Sequence, residues 1–333
     1  MKLLFFDLRE SEKEFFKNNN FCDFDITFRE ESLTDKTKLT DEEYEKTGIV
    51  CVYRSSILTS DVLKKFKNLR MIATRSHGFT HIDLDYCIKN RISVLNIEQY
   101  GEEAVAEFAL GIILDLTRKI KTAMIDIRKQ NINPTEYEGE LLRKKTIGII
   151  GCGKVGLNLA KIAHFFDMKV LVSSYKESPQ FEKVCNIVPF DTLLSESDII
   201  YLHMPFTTEN YQIVGEDEFQ KMKNGVYIIN TSSIELLNLK ALYDNIISGK
   251  VKGAGLDILE SDYIKGKSSP ELGGETMSTK ENYKITEKLL DMPNVLITPH
   301  LAYNTKEYIE YVLEYTFNNI RDNIKGIYTN RLC

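Results

Sequence analysis

The segment from Thr146 to Gly156 constrains the fold of this chain more than any other, and it reads Thr-Ile-Gly-Ile-Ile-Gly-Cys-Gly-Lys-Val-Gly. Its apolar start is typical of a buried strand, and the apolar spacing of the residues that follow predicts a helix. A glycine turn between a strand and a helix is typical of a dinucleotide-binding crossover, because the helix N-terminus offers free N–H groups to phosphate. We therefore predict a nucleotide site at this turn.

Each glycine of the turn has an expected role. Gly151 makes the tight turn, Gly153 lets the backbone approach a pyrophosphate, and Gly156 lets the helix pack closely on the strand. A glycine turn with a purely structural role is the alternative. A strand-like segment at 169–173 follows at the distance that a crossover needs, and this favours the nucleotide interpretation.

Two series of alternating strand-like and helix-like segments follow one another along the 333 residues. Such alternation predicts an α/β protein with helices on the faces of parallel sheets, and the length suits two domains. The first series has strand-like segments at 3–7, 25–28, 49–53, 71–74 and 92–95. The second series has six strand-like segments, at 146–150, 170–173, 199–202, 226–230, 253–256 and 295–298.

Three other segments carry organisational predictions. Residues 102–121 have apolar side chains at three- and four-residue spacing, which predicts one long helix. Its apolar stripe is wide enough to contact a neighbouring molecule, so a homodimer contact is one hypothesis and packing within the chain is the other. The segment 308–324 predicts a helix that returns to the first domain. Gly, Ser, Lys and Glu dominate 263–284, which predicts a surface insertion.

Composition excludes several classes of function. The net charge of −6 argues against non-specific nucleic-acid binding, and no run of about 18 apolar residues is present to span a membrane. Asp7 and Arg9 interrupt the apolar opening, which therefore predicts a buried strand rather than a signal peptide. The six cysteines form no Cys-x-x-Cys pair, so we expect no metal site and no disulfide framework, and reduced thiols in a cytoplasmic protein are favoured.

A histidine and two aspartates follow predicted strands of the second series. His300 ends the sequence Ile-Thr-Pro-His, just beyond a strand, where open sheets bind their ligands. An imidazole there can give a proton to a carbonyl as a hydride arrives, and can take it back in the reverse direction. Asp257 ends another strand and Asp262 follows it, so a carboxylate is expected to fix the histidine tautomer. The alternatives are a hydrogen-bonded loop histidine and solvated loop acids.

The chain resembles the D-isomer-specific 2-hydroxyacid dehydrogenases, and among them the D-lactate dehydrogenases. The resemblance runs through 75–85, 100–107, the glycine turn, 197–205, 222–225, 253–257 and 298–300. It implies two doubly wound parallel-sheet domains: a flavodoxin-like catalytic domain at 1–100 and 301–333, and a Rossmann nucleotide-binding domain at 101–300. It also implies a homodimer and hydride transfer between NAD(H) or NADP(H) and a 2-oxo acid, with His300 as acid and base.

The resemblance also implies roles for individual residues. Lys154 and Val155 would lie along the pyrophosphate, and Asp257 would lie near the nicotinamide amide. Five further residues would line the nucleotide, namely Met204, Pro205, Asn210, Thr231 and Ser232. At the substrate, the resemblance implies the backbone of His77 and Gly78 around the carboxylate, with Tyr53 and Tyr100 nearby.

Three positions depart from the family pattern. Ser233 stands where the family has its catalytic arginine, and serine cannot imitate a planar guanidinium that clamps a carboxylate. Losing one such donor costs on the order of 10²–10³ in rate. Asp262 matches the glutamate partner of the histidine but is one methylene shorter. Ser174 takes the place of the aspartate that binds the adenosine ribose.

These departures open alternatives in cofactor and activity. Ser174, with Lys176 two residues on, removes the repulsion of a 2′-phosphate, so we predict that NADP is accepted alongside NAD. His77 and Arg54 are candidates to replace the arginine, and two exposed loop residues without a role are the alternative. The chain is then either a working dehydrogenase with a rearranged anchor and an altered substrate, or a catalytically impaired dinucleotide-binding sensor or partner-binding protein.

Overall fold

The computed structural model describes residues 1–19, 21, 23–97, 101–130, 132–151, 153–173, 184–257, 277–328 and 330–333, with the backbone alone at 277–281. The chain divides into two compact units, one of Met1–Tyr100 with Asn304–Cys333 and one of Gly101–Tyr303. Across the described residues, no helix has the length and apolar character needed to cross a membrane.

The first unit contains a five-stranded parallel sheet in the order β2-β1-β3-β4-β5, which is the flavodoxin-like order. Its strands are β1 (Lys2–Phe5), β2 (Asp25–Phe28), β3 (Thr47–Val52), β4 (Met71–Thr74) and β5 (Ser93–Leu95). Its helices are α1 (Glu10–Asn18), α2 (Asp41–Lys46), α3 (Ser60–Leu63), α4 (Leu84–Lys89) and, from the end of the chain, α12 (Lys306–Ile324). The predicted alternation of strands and helices is confirmed.

Apolar runs in the strands explain why this sheet is covered on both faces. All six residues of β3 are buried, as expected for a parallel strand between two layers of helices. The carboxyl-terminal helix α12 supplies Leu313, Phe317 and Ile320 to one of the two clusters of buried side chains. The ring of Phe317 stacks on that of Phe5, with ring centroids 6.3 Å apart, so the end of the chain packs into the first unit.

The second unit contains a parallel sheet of seven strands, ordered β12-β11-β10-β9-β6-β7-β8. They are β6 (Thr146–Ile150), β7 (Lys169–Ser173), β8 (Asn186–Ile187), β9 (Ile199–Leu202), β10 (Val226–Asn230), β11 (Val251–Leu256) and β12 (Val295–Ile297). The strand order reverses between β6 and β9, and such a switch point is where a ligand crevice forms in Rossmann domains. The helices are α5 (Glu102–Arg118), α6 (Ile120–Arg128), α7 (Lys154–Phe165), α8 (Phe190–Glu196), α9 (Glu216–Lys221), α10 (Leu239–Ile247) and α11 (Met277–Leu290).

The structure corrects three details of the sequence prediction. The two-residue strand β8 is an addition to the six strands expected, and it is too short for a periodic signal. The single helix predicted over 102–121 is wrong, because Lys119 adopts the left-handed region (φ 55°) and separates α5 from α6. The insertion expected at 263–284 lies outside the described residues up to 276, and α11 occupies its remainder.

Candidate functional site

The glycine turn follows β6 at the switch point of the second sheet. Gly151 has a φ of +121°, and a Cβ atom there would lie 2.2 Å from the carbonyl oxygen of His203 on the adjoining loop. At Gly156, a Cβ atom would lie 2.8 Å from the carbonyl oxygen of Gly151. Both positions therefore exclude any larger residue, because the helix and two strand ends meet here.

The start of α7 fits the phosphate groups of a dinucleotide. Gly153 is the N-cap, no side chain caps the first turn, and a Cβ atom at Gly153 would have no neighbour within 4 Å. Val155 is buried in the sheet-facing side of the helix, whereas the Lys154 side chain is 74% exposed and lies 3.2 Å (Nζ to Oε1) from Glu102. The turn thus offers backbone N–H groups, open space and a cation to an anionic ligand.

The loop after β9 carries three of the residues expected at the cofactor. Met204 is half-buried against the core of the second unit, and Pro205 is exposed. Asn210 is buried, and its side-chain amide donates to the carbonyl of Pro205 (2.8 Å) and accepts from the amide of Thr207 (2.7 Å). The side chain of Asn210 therefore holds the shape of the loop that carries Met204 and Pro205.

The loop after β10 contains the serine that replaces the expected arginine. Buried Asn230 organises this loop: its Oδ1 accepts from the amide of Ser232 (2.9 Å), and its Nδ2 donates to the carbonyl of Ser233 (2.9 Å). Ser233 is half-buried at the start of a short 3₁₀ turn, Ile234–Leu236. The loop is thus well ordered around Ser233, although the guanidinium is missing.

A buried carboxylate anchors the residues on either side of His300. Asp257, fully buried at the end of β11, accepts hydrogen bonds from the Thr298 hydroxyl (2.5 Å) and from the amides of Leu301 (2.8 Å) and Ala302 (2.7 Å). His300 lies between these anchored residues in the left-handed region, with a φ of 53°. A non-glycine residue with positive φ in a pinned loop is typical of a functional position. The structure thus gives Asp257 a role in placing His300.

A second histidine lies near His300. His203 follows β9, where its amide donates to the carbonyl of Ile150 (3.1 Å). Burial, and next the charge of His300, lower the pKa of His203 to about 4. His203 is therefore neutral at physiological pH.

In the first unit, Tyr53 follows β3 on the carboxyl edge of the sheet. Buried Asp7 adopts a positive φ of 56° and accepts hydrogen bonds from the Tyr53 amide (2.8 Å), the Ser55 hydroxyl (2.8 Å) and the Ser56 hydroxyl (2.7 Å). The guanidinium of Arg9 lies 4.0 Å from the centroid of the Tyr53 ring. A fixed aromatic ring with a cation on its face therefore occupies this edge.

His77 and Gly78 follow β4 on the same edge of the first sheet, and both are exposed. The Nδ1 atom of His77 lies 3.2 Å from the carbonyl oxygen of Ile97, which assigns the proton to Nδ1 in the neutral ring because the carbonyl only accepts. The hydroxyl of Ser76 donates to the carbonyl of Gly78 (2.7 Å) and closes the turn. The edge therefore presents Arg9, Tyr53, Arg54 and His77 on neighbouring strand ends.

Three predicted site residues, Tyr100, Ser174 and Asp262, lie outside the described residues, as do Cys152 and Lys176. Among the described residues, no group of His, Cys, Asp and Glu could hold a metal ion. Sequence reasoning did not name Arg9 or His203 as site residues, and the structure places them at the carboxyl ends of the two sheets. The position of each one shortly after a strand was the available signal, because strand ends in parallel sheets carry the ligand contacts.

Comparison with known proteins agrees with this geometry. The sequence profile of the D-isomer specific 2-hydroxyacid dehydrogenase, NAD binding domain, matches residues 110–302. The chain is 33% identical to "2-hydroxyacid dehydrogenase homolog 1" of Schizosaccharomyces pombe, covering 97% of this chain and 96% of that protein. It is 31% identical to D-lactate dehydrogenase of Escherichia coli, over 98% of each chain. Among solved structures, D-lactate dehydrogenase from Aquifex aeolicus complexed with NAD and lactic acid matches with a TM-score of 0.77 and 33% identity, covering 98% of this chain and 96% of that one.

Proposed function

The chain belongs to the D-isomer-specific 2-hydroxyacid dehydrogenase family, and from that premise we propose how its own residues bind the cofactor and the substrate. It is a nicotinamide-dependent dehydrogenase that transfers a hydride between the cofactor and a 2-oxo acid or D-2-hydroxy acid. We assign the dinucleotide-binding domain to 101–300 and the catalytic domain to 1–100 and 301–333. The proposal that this chain is a dehydrogenase rests on one observation. His300, in the loop anchored by Asp257, lies at the same edge of the second sheet as the glycine turn.

We assign the cofactor to the carboxyl edge of the second sheet. The pyrophosphate binds the first turn of α7, where Gly153, Lys154 and Val155 offer N–H groups and a cation. Met204, Pro205, Asn210, Thr231 and Ser232 line the nucleotide, on the loops that follow β9 and β10. When bound, the nicotinamide supplies a hydride to a carbonyl carbon or accepts one from a hydroxy acid.

His300 acts as the acid and base. As the 2-oxo group is reduced, the protonated imidazole gives its proton to the oxygen that becomes a hydroxyl, and it recovers a proton in the reverse direction. The loop anchored by Asp257 keeps the imidazole in one place, which reduces the entropy lost in reaching the reactive geometry. Asp262 is the proposed carboxylate partner of His300.

The substrate carboxylate needs a cation that Ser233 cannot supply. We assign this role to Arg9, whose guanidinium is held on the Tyr53 ring, together with the backbone of His77 and Gly78. The imidazole of His77 adds a donor when protonated, because its Nδ1 is already engaged by the Ile97 carbonyl. Tyr53 and Tyr100 are proposed to contact the rest of the substrate. This rearranged anchor is consistent with an altered choice of 2-oxo acid.

Three further assignments concern cofactor choice, assembly and location in the cell. We propose that NADPH is used alongside NADH, since Ser174 provides no carboxylate to repel a 2′-phosphate. We propose a homodimer whose interface covers the apolar side chains of α6 that are exposed on the single chain. We also propose that the protein works in the cytoplasm, where the buried thiols of Cys51 and Cys87 stay reduced.

Kinetics with four proteins test the dehydrogenase and its anchor. The wild type and the Arg9→Gln, Arg54→Gln and Ser233→Arg variants are assayed by NADH and NADPH oxidation with 2-oxo acids that carry small, branched and aromatic side chains. We expect an active wild type and a fall in kcat/KM of about 10²-fold in Arg9→Gln, the size of a lost charged anchor. Arg54→Gln is the matched control and should remain within about twofold of the wild type.

The outcomes separate the two parts of the proposal. A wild type inactive on every 2-oxo acid, with activity gained in Ser233→Arg, contradicts a working native site and indicates decay. An active wild type whose kcat/KM survives Arg9→Gln removes Arg9 from the anchor but leaves the dehydrogenase standing.

A further inference from the structure

A buried phenol lies behind the histidine that neighbours His300. Tyr201 is on β9 with no exposed surface, and its hydroxyl lies 2.7 Å from the hydroxyl oxygen of Thr231 on the next strand end. That same oxygen lies 3.1 Å from Nδ1 of His203. The rings of Tyr201 and His203 are close to parallel, at 9°, with centroids 5.9 Å apart. Three side chains thus form one chain of contacts from the core to the site.

The direction of the hydrogen bonds along this chain follows from the supply of protons. Within the described residues, Thr231 is the one hydrogen-bond partner of the Tyr201 hydroxyl, and a buried phenol must donate its proton. Tyr201 therefore donates to Thr231. Accepting from Tyr201 polarises the Thr231 hydroxyl, which becomes a stronger donor and a weaker acceptor toward Nδ1 of His203. Among the described residues, Nδ1 is also the one acceptor left for the Thr231 proton, so we take the hydrogen bond to run from Thr231 to Nδ1.

The role of Nδ1 as an acceptor determines which ring nitrogen of His203 carries the proton. A neutral imidazole has one N–H and one acceptor nitrogen, so an accepting Nδ1 places the proton on Nε2. His203 remains neutral because it is buried, and burial lowers its pKa to about 4, with the His300 charge as the second cause. The opposite edge of the ring therefore carries a donor.

We propose that Tyr201 is a positioning residue that sets the Nε2–H tautomer of His203 through Thr231. The imidazole then presents a hydrogen-bond donor, rather than an acceptor, to an oxygen atom of the ligand bound near His300. The role of this donor toward a ligand rests on the proposed function, whereas the tautomer does not. The orientation of a neutral histidine by a partner on its other nitrogen is a general means of setting its donor side.

The carboxyl edge of the second sheet explains why the tautomer matters there. The glycine turn packs directly on the carbonyl of His203, since a Cβ atom at Gly151 would lie 2.2 Å from that oxygen. His203 is therefore a fixed part of the wall beside the cofactor turn. A ring nitrogen without a proton at this place could not donate a hydrogen bond to the carbonyl, carboxylate or carboxamide oxygen of a bound ligand.

Nitrogen NMR of the five histidines tests the tautomer directly. The protein is labelled with ¹⁵N at histidine only, and the His203 ring is identified by its loss in His203→Asn. We expect the wild type to show a protonated Nε2 and a bare Nδ1 on His203 at neutral pH. In Tyr201→Phe, the Thr231 hydroxyl loses this polarisation and its oxygen accepts more readily, so a population with the proton on Nδ1 should appear. A wild type with its proton on Nδ1 overturns the proposal.

A matched variant separates positioning from packing. Tyr227 is a second buried tyrosine, on β10, and its hydroxyl donates to Glu140 (3.0 Å) rather than to any residue of the site. Tyr227→Phe should leave the His203 tautomer and kcat unchanged. Tyr201→Phe should lower kcat roughly tenfold with little change in the NADH dissociation constant, far less than the ~10⁴-fold loss when a triad histidine takes the wrong tautomer.

Two further results keep the test decisive. Thr231→Val removes the relay hydroxyl and should produce the same mixed tautomer, so the inference does not depend on the folding of Tyr201→Phe. An unchanged Nε2–H signal in both variants contradicts the role of Tyr201. A wild type inactive on every 2-oxo acid would contradict the proposed function but not the tautomer, because the NMR readout needs no turnover.

Discussion

At the scale of single residues, the proposal joins Ser233 and Arg9: the cation that Ser233 cannot offer to the substrate is assigned to Arg9. Hydrogen bonds between Asn230 and the backbone of Ser232 and Ser233 hold the loop of Ser233 in place. A 2-oxo acid still needs a cation for its carboxylate. Arg9 is suited to this role, because a guanidinium stacked on Tyr53 loses little rotamer freedom when a ligand binds.

Gly153→Ala separates cofactor binding from folding. A Cβ atom at Gly153 meets nothing within 4 Å, so the variant should unfold at the wild-type temperature. The added methyl group occupies the space that the pyrophosphate approaches, so the NADH dissociation constant should rise by about tenfold or more. Thermal melts and fluorescence titration with NADH measure the two quantities.

Gly151→Ala is the contrasting variant for that experiment. Its methyl group would lie 2.2 Å from the His203 carbonyl at a φ of +121°, so both stability and NADH binding should fall. Equal NADH affinity in Gly153→Ala and the wild type would exclude a close approach of phosphate to this turn.

Ser174→Asp tests the cofactor preference. Aspartate accepts hydrogen bonds from the ribose hydroxyls of NADH and repels the 2′-phosphate of NADPH. We expect the wild type to use both cofactors. In the variant, kcat/KM with NADPH should fall by about 10²-fold, while kcat/KM with NADH is retained. Rejection of NADPH by the wild type, by a factor of hundreds, would contradict the prediction. Lys176→Gln measures the separate contribution of the nearby cation.

Among the elements, hydrophobic pattern determined what the sequence could predict. The βα alternation, the glycine turn and the strand ends that carry His300 and Asp257 have local signals, and the fold class is confirmed. The break at Lys119 was not predictable, because the apolar spacing continues from α5 into α6 and one left-handed residue changes the axis. The relay from Tyr201 was also not visible, since a tyrosine inside an apolar strand has the pattern of an ordinary core residue.

Glu140 links three segments at the amino edge of the second sheet. It pairs with Lys145 before β6 and with Lys252 of β11, and it accepts from Tyr227 of β10 at 3.0 Å. Burial alone raises the pKa of Glu140, but the hydrogen bonds from Lys145, Lys252 and Tyr227 outweigh it and lower the pKa to about 2. A depressed carboxyl pKa stabilises the folded state above the ordinary value of 4.5, and this contribution is lost as the pH falls from there toward 2.

Glu140→Gln should therefore lower Tm at pH 7 by several degrees, from a loss of about 1–2 kcal/mol in a partly solvated cluster. The difference from the wild type should shrink as the pH falls from 4.5 toward 2, because the unfolded wild-type chain takes up a proton at Glu140 in this range while the folded protein does not. Glu196→Gln is the matched control, since its pair with Lys169 is exposed and its loss should leave Tm unchanged. A pH-independent difference would show that packing, not charge, is responsible.

At the scale of the whole molecule, the exposed apolar side chains on α6 lead us to predict a contact with a second copy of the chain. Ile120, Met124 and Ile127 are 55%, 49% and 60% exposed, and their spacing of four and three residues places them on one helical face. Of the apolar stripe predicted on α5, Ala109, Ile112, Ile113 and Leu116 are buried within their own unit, and Ala104, Val105 and Phe108 are half-buried. We therefore predict that the dimer contact lies on α6, which the sequence prediction had merged with α5.

The double variant Met124→Glu with Ile127→Glu tests whether a second copy covers this face. A two-fold dimer would bring the same stripe from each protomer together, so each variant chain adds two carboxylates to a contact that then carries four. Like charges buried in an apolar contact raise the free energy of the dimer far more than a solvated glutamate would. The double variant should therefore sediment with the mass of one 38.4 kDa chain, and the wild type with twice that mass. Ile247→Glu on α10 is the control, because Ile247 is also exposed, at 65%, but lies on a different helix and should leave the dimer intact. A wild type that sediments as a single chain would contradict the dimer, and a double variant that keeps the dimer mass would place the contact on another surface.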